Sequence, residues 1–399
     1  MVQNAVERSG MQPDSGRLRS MWAAIGCISV VGFSLSLTLP LLSYMLEARG
    51  ISDTWIGINT AVGGIAALVI SPLAGGLVRR LGTVRLIYLA IAAGCLSMML
   101  LSPAPFWLWF PLRFILTASI TVLFVVSEFW INATAPDAKR GLVMGLYATV
   151  LSIGYAAGPA VLAVFGSDSP FPLTIAIVAY LTAAIPVALA GGFVPRVEER
   201  PSFRFVALFM VAPASMLAAF VFGMGESTML AFMALWGERN GLTAASAALL
   251  LTVIGLGNLA FQLPIGLLAD RANRTLVLAI CGAIGFGGVV AMPVLIGTPF
   301  ALFAIVFVWG GISAGLYTVG LTQLGARFTG ANLATANGMF VMLYAFGMLA
   351  GPATGGVALD VWPLYGLPLT VAAAFGIYAA TASVRVFKLN TSGSVRRES

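Results

Sequence analysis

Histidine is absent from the 399 residues, cysteine occurs three times, and charged side chains make up only 9%. Each shortage closes a route. Without histidine, any proton coupling has to use carboxylates, and no imidazole-based catalytic site exists. Cys27, Cys95 and Cys281 lie apart inside apolar runs, so neither a disulfide nor a metal site is expected. There is no glycine-rich phosphate loop and no credible nucleophile–base constellation, which argues against an enzyme and against a bound cofactor. A soluble domain carries about 25% charged residues. The deficit, with 60% hydrophobic residues and a mean hydropathy of +1.00, excludes a water-soluble core and marks an integral membrane protein. The net charge is +7, yet the basic residues are scattered in pairs and form no stripe. No nucleic-acid partner is implied.

What is present is apolar sequence in runs long enough to span a bilayer, each needing roughly 20 residues. Cutting at charge and turn clusters predicts twelve spans: 22–46, 55–78, 86–101, 106–130, 142–165, 171–194, 209–236, 244–269, 276–296, 300–324, 334–359 and 364–384. They group into an N-terminal bundle over 21–194 and a C-terminal bundle over 205–388, joined by the charged linker 195–204. Residues 1–20 lack a cleavable signal pattern and are expected to form a disordered cytoplasmic tail, with a second tail over 389–399. Eighteen of the 21 Lys and Arg residues fall on the tails and the even-numbered connections. Only Arg49 and Arg239 fall on the other side, and Arg113 lies inside a span. By the positive-inside rule both termini are cytoplasmic, in a multi-pass protein of the cell inner membrane.

The halves repeat. Gly145–Val161 aligns without gaps on Gly338–Thr354, 193 residues later, and at a spacing of 191 Glu47 and Gly50 fall on Glu238 and Gly241. Repeats of six spans predict an all-α membrane protein of two pseudo-symmetric six-helix bundles with a binding site between them at mid-membrane. GLLADRANR, Gly266–Arg274, between spans eight and nine, resembles the loop signature of the major facilitator superfamily. The first copy, Gly75–Arg85, sits correctly but carries Arg79 and Arg80 where the pattern has an aspartate. Two further stretches, SEFWINATAPDAKRGLVMGLY and GLYTVGLTQLGARF with the downstream GPATGG, resemble a YcaD-like bacterial subgroup. The resemblance runs from about Trp22 to Lys388. It implies alternating access of two bundles, a small-molecule substrate and a monomer among membrane lipids.

On this reading Asp270, Arg271 and Arg274 form a gate that locks the cytoplasmic side; simple topology charge is the alternative. In the first copy Glu128 is a candidate partner for Arg80 or Arg85, or an interfacial glutamate. Gly154, Gly158 and Pro159, with Gly347, Gly351 and Pro352, form small-residue faces for close helix packing. A fuller version of the span-five motif implies an antiporter in this superfamily, and here the fuller copy is in span eleven.

Two ionisable residues stand inside spans. Arg113 has no counterpart in the second half, where Ala304 stands, and its face continues through Thr117, Thr121, Phe124 and Glu128. It resembles a basic position that the superfamily links to substrate or proton binding. Glu226 lies in FGMGESTML between apolar runs. Counting up from Arg204 would place it at the outer surface, but the repeat centres span seven near Gly225, with Pro213 as the entry. An intramembrane carboxyl is functional by default, and removal from water makes its protonation at neutral pH feasible. A structural hydrogen bond, or pairing with Arg113, is the alternative. Asn59, Tyr155, Asn258, Gln262, Trp309, Tyr317, Gln323, Asn337 and Tyr344 are secondary polar candidates, Gln262 and Tyr317 first. The expectation is a proton-coupled exporter of amphipathic or cationic compounds. A proton-coupled importer of an anionic or zwitterionic metabolite, held by Arg113, is the rival. A non-transporting receptor or lipid-translocating scaffold is a third reading.

Overall fold

In a medium that offers the backbone no hydrogen bonds, a chain must satisfy its amides internally, and helices do so within one segment. The computed structural model describes residues 14–134, 140–189 and 212–395. Among them twelve helices are long and apolar enough to cross a membrane. Spans one to six are Arg19–Glu47, Asp53–Leu81, Thr83–Leu101, Phe106–Ile131, Val143–Phe165 and Phe171–Leu189. Spans seven to twelve are Pro213–Arg239, Ala244–Arg271, Arg274–Leu295, Pro299–Arg327, Thr335–Val361 and Gly366–Arg385. The ends fall close to those expected. Helix also continues back to Asp14 and forward to Val395, into stretches the sequence assigned to the tails. The linker 195–204 lies outside the described residues. Span six is interrupted at Ala183, which separates Phe171–Thr182 from Ala184–Leu189.

Consecutive spans run in opposite directions, so the molecule has a tail face, carrying the start of span one and the end of span twelve, and an opposite face. On the opposite face, spans one and two and spans seven and eight are joined by short turns. Each contains a glycine at positive φ, Gly50 at 73° and Gly241 at 100°. These two are repeat-related, and the left-handed backbone suits a residue without a Cβ.

Small residues decide how closely the helices approach. Within the bundles, Gly154 and Gly158 of span five lie on the backbone of span one at Ser29, Phe33 and Leu37. Gly347 and Gly351 of span eleven lie in the same way on Phe220 and Met224 of span seven. Between the bundles, span two crosses span eleven and span five crosses span eight, two interfaces exchanged by the repeat. Gly57 meets the Pro352 carbonyl, Gly64 meets Leu349, Gly356 meets Asp53, and Gly255 meets the backbone of Ala156. These contacts lie at mid-depth and toward the opposite face.

Charge completes that seal. Arg239, at the end of span seven, pairs with Glu47 of span one at 2.6 Å and with Asp53 of span two. Asp360, at the end of span eleven, accepts hydrogen bonds from the backbone N–H of Asp53 at 3.1 Å and Thr54 at 2.8 Å. Span two has no side-chain cap of its own, so a carboxylate from the other bundle satisfies its orphan amides and meets the positive end of its dipole. Beside the seal, Trp55 stands edge-on to Phe106, Trp107 and Phe110, and Trp107 stacks on Phe110 and is largely exposed, as expected of an interfacial aromatic belt.

Replacing both Arg239 and Asp360 with alanine is expected to lengthen the distance between spin labels at Ala48 and Trp362, both exposed, one on each bundle. An unchanged distance distribution would show that glycine packing alone holds the opposite face. Gly351→Leu would force a side chain into span seven and is expected to cost about 1–3 kcal/mol, read as a lower melting temperature. Gly287→Leu has open space around it and should melt like the parent.

Candidate functional site

Sealed on one face, the bundles part toward the other and enclose a cavity of about 450 Å³. Its floor lies near Leu35, Tyr155, Glu226 and Tyr344 at mid-span, and its walls extend to Glu128, Met144 and Thr322 near the tail face. Spans one, two, four and five line one side; spans seven, eight, ten and eleven line the other. Pro213 is the first residue of span seven. Glu226, thirteen residues on, is therefore about 20 Å along a helix about 40 Å long. The mid-depth position expected from the repeat is where the carboxyl stands.

Glu226 is held by tyrosines from both bundles. The Tyr344 hydroxyl of span eleven donates to its Oε2 at 2.5 Å, and the Tyr155 hydroxyl of span five faces the same carboxyl. Phenol-to-carboxylate bonds are charge-assisted and short, and they offset part of the cost of keeping a carboxyl out of water. Phe222 stacks on Tyr344, with ring centroids 5.9 Å apart, and Tyr317 stands edge-on to Tyr344 at 5.8 Å. Aromatic side chains thus surround Glu226, two of them turning their hydroxyls to it, and aromatic rings in such a setting attract organic cations. On the opposite-face side of the carboxyl, Trp309, Ser313, Gly255 and Asn258 border a second space of about 20 Å³, room for about one water.

Gln262 also lines the cavity. It accepts a hydrogen bond from Ser152 at 3.4 Å across the bundle interface, and Asn258 lies one turn deeper. Tyr317 is in the wall between Glu226 and Glu128. The described lining has two carboxylates, Glu226 and Glu128, and neither lysine nor arginine.

Other candidates are placed elsewhere. Arg113 does not reach the cavity. It is 3% exposed within the N-terminal bundle, and neither Nη1 nor Nη2 has a partner. The pairing of Arg113 with Glu226 is not made, because tyrosines occupy the carboxyl. Glu128 does not meet Arg80 or Arg85 either: it faces the cavity, while both arginines are exposed and make no ion pair among the described residues. Gln323 is a scaffold residue, accepting from Ser215 at 2.6 Å and donating to Thr275 at 2.9 Å. Asn59 is fully buried outside the cavity, and Asn337 is half-buried near the tail face without lining it.

At the gate signature, Asn273 caps span nine by accepting from Thr275 and Leu276. Asp270 is 65% exposed, and among the described residues its ion-pair partner is Arg274 of its own loop, at 3.9 Å. Arg271 is exposed. Among the described residues, this set makes no ion pair or hydrogen bond to the N-terminal bundle. The contact between bundles that sequence reasoning did not anticipate is the opposite-face set, Glu47, Asp53, Arg239 and Asp360. Arg239 carried a visible signal, being one of two basic residues on that face, but its partners are 186 and 192 residues away in sequence.

Comparison with known proteins agrees with this architecture. The family model of the Major Facilitator Superfamily matches residues 24–208 and 215–398. The chain is 25% identical over 341 residues to the "Uncharacterized MFS-type transporter YfkF" of Bacillus subtilis, covering 82% of this chain and 86% of that protein. It is 24% identical over 327 residues to the "Uncharacterized MFS-type transporter YcaD" of Escherichia coli O139:H28, covering 80% and 84%. Among solved structures, a bacterial homologue of the human lysosomal transporter Spinster, described as inward-facing and unoccupied, superposes with a TM-score of 0.74 at 14% identity, over 94% of this chain and 96% of that one. A point mutant of the nucleoside transporter NupG superposes with a TM-score of 0.69 at 16% identity, over 91% and 99%. A sequence match over both halves, twelve spans among the described residues and a cavity between two repeat-related bundles place the chain in the major facilitator superfamily, as a multi-pass membrane transporter, not an enzyme, that is similar to the YfkF and YcaD proteins.

Proposed function

We propose that the protein is a proton-coupled exporter of amphipathic or cationic small molecules, working by alternating access in the cytoplasmic membrane. The observation that carries this reading is Glu226: a carboxyl at mid-depth, ringed by tyrosine and phenylalanine, at the floor of a cavity whose described lining holds no basic residue. A largely apolar wall whose described charged groups are two carboxylates, Glu226 at the floor and Glu128 toward the tail face, selects for an apolar body bearing a positive charge. The excess of Lys and Arg on the tail face supports a cytoplasmic assignment for that face, which makes the present conformation inward-facing.

The exchange follows from charge. A carboxylate alone at mid-membrane is costly, so Glu226 crosses between the two states neutralised, either by a proton or by a cationic substrate. A cation entering from the cytoplasm takes the carboxylate from its proton; a proton arriving from outside releases the cation. Glu226 and Tyr344 belong to one bundle and Tyr155 to the other, so loading of the carboxyl bears directly on a contact between bundles. The asymmetry of the closed faces adds to this: glycine contacts and the Arg239 and Asp360 links hold the outer side, while the Asp270 signature stands unengaged inside. Closure of Asp270, Arg271 and Arg274 against the other bundle would then belong to the outward-facing state. The transporter works as a monomer, with lipid around each bundle.

An importer of anionic or zwitterionic metabolites would need a cationic group in the cavity, and Arg113 is not in its lining. In proteoliposomes loaded with a lipophilic fluorescent cation, an imposed proton gradient is expected to drive its movement. Glu226→Gln should lower the gradient-driven rate by at least about tenfold, a loss of about 1.4 kcal/mol or more in the driven step. Tyr155→Phe, which keeps the ring and removes the donor, should give an intermediate loss. Gradient-driven cation transport at the parent rate in Glu226→Gln would sink the proposal. Transport of anions alone would replace it with the importer.

A further inference from the structure

Arg113 lies inside a span, and the exchange described above does not use it. A guanidinium keeps its charge under all conditions a protein meets, and this one is 3% exposed with Nη1 and Nη2 both lacking partners. It is not alone. Asn59 is fully buried with both Nδ2 and Oδ1 unpartnered, and Ser34 is fully buried with its Oγ unpartnered. Buried polar groups without partners are rare, and here three such side chains fall within about one helical turn of depth in one bundle by helix register.

The register of the helices brings them together. A Cβ at Gly63 of span two would meet Thr117 Oγ1 of span four at 3.1 Å. Both spans run from the opposite face to the tail face, so one turn back on each stand Asn59 and Arg113, facing across the same seam. Span one runs the other way. The Trp130 indole of span four donates to Ser20 of span one at 2.7 Å. Equal steps along both helices from that bond bring Ser34 level with Leu116, within one turn of Arg113.

We propose that this cluster holds a small inorganic anion, of halide size, as a resident counter-ion of the N-terminal bundle. The donors are of the right kind: a guanidinium, a primary amide and a hydroxyl converge where no carboxylate is paired with the arginine. Glu226 is engaged by Tyr344 and Asp53 by Arg239, and neither is paired with Arg113. One fixed positive charge matches a monovalent anion, and enclosure among fully buried neighbours suits a monatomic one better than an organic acid. The cluster lies within a single bundle and outside the substrate cavity, so the ion stays with that bundle through the transport cycle. It stabilises the fold and is not cargo. This inference is independent of the exporter reading.

The test uses the full-length protein in detergent, exchanged into gluconate and titrated with chloride or bromide at fixed pH and ionic strength. A ligand that binds only the folded form raises the melting temperature by mass action. A saturable rise of about 2 °C, the scale of a ~1 kcal/mol effect in a large domain, is expected with both halides and not with added gluconate. Arg113→Gln should abolish the halide-specific shift, Asn59→Leu should reduce it, and Glu226→Gln should leave it intact. Identical melting in chloride and gluconate overturns the proposal, as does a full halide shift in Arg113→Gln. If that variant cannot be recovered folded, a halide shift in Asn59→Leu equal to the parent's overturns it instead. Because transport is not read, failure here leaves the role of Glu226 untouched, and failure of Glu226→Gln in proteoliposomes leaves this site untouched.

Discussion

A carboxyl at the middle of a membrane-spanning helix has few places to exist, and the arrangement of this protein turns on how Glu226 is accommodated. It is neither paired with a cation nor buried bare. Two phenols, one from each bundle, face it, and a cavity opens beside it toward the tail face. Hydrogen bonds from tyrosine can be traded for a proton or for an organic cation, whereas a buried arginine partner would have neutralised the site permanently. Arg113 stands apart, in another packing environment, so the carboxyl keeps no arginine partner among the described residues, as the proposed exchange requires.

The cavity exists because the two bundles meet along only part of their height. Glycine lets backbones touch at Gly57, Gly64, Gly255 and Gly356, and without hydrophobic drive between helices in lipid such close van der Waals contact is a main source of adhesion. Toward the tail face the interface gives way to Thr, Tyr, Met and Leu side chains that line open space. The ion pairs of Arg239 and the capping of span two by Asp360 add directional links at the end where the bundles already touch. A carboxylate against a helix start is a contact that can be made or broken by small rotations. The Asp270 loop offers a similar group on the other face, unengaged here.

The polar residues divide by physical role. Gln323 joins spans seven, nine and ten within one bundle and is fully satisfied, as befits scaffold. Gln262 reaches across the interface through a longer bond to Ser152 and faces the cavity. In composition the two glutamines are alike; only their neighbours separate them.

Class and most of the frame were legible in one dimension. Twelve apolar runs, the repeat and the loop signature are local properties, and bilayer thickness converts run length into spans with little ambiguity. The depth of Glu226 was legible as well, because the repeat supplied an internal ruler and Pro213 opens its helix. Which polar faces meet is a different matter, and it was settled by packing in three dimensions. Arg113 and Glu226 carried equal claim along the chain, yet helix rotation sends one into a bundle interior and the other to the cavity floor. Glu128 turned to the cavity and not to Arg80 or Arg85, and Asp360 found the start of span two more than 300 residues away. An apolar helix can be hydrophobic on every side in a membrane, so periodicity carries little information about which face is buried. Contacts across the bundles, set by small residues far apart in the chain, supply what periodicity leaves out.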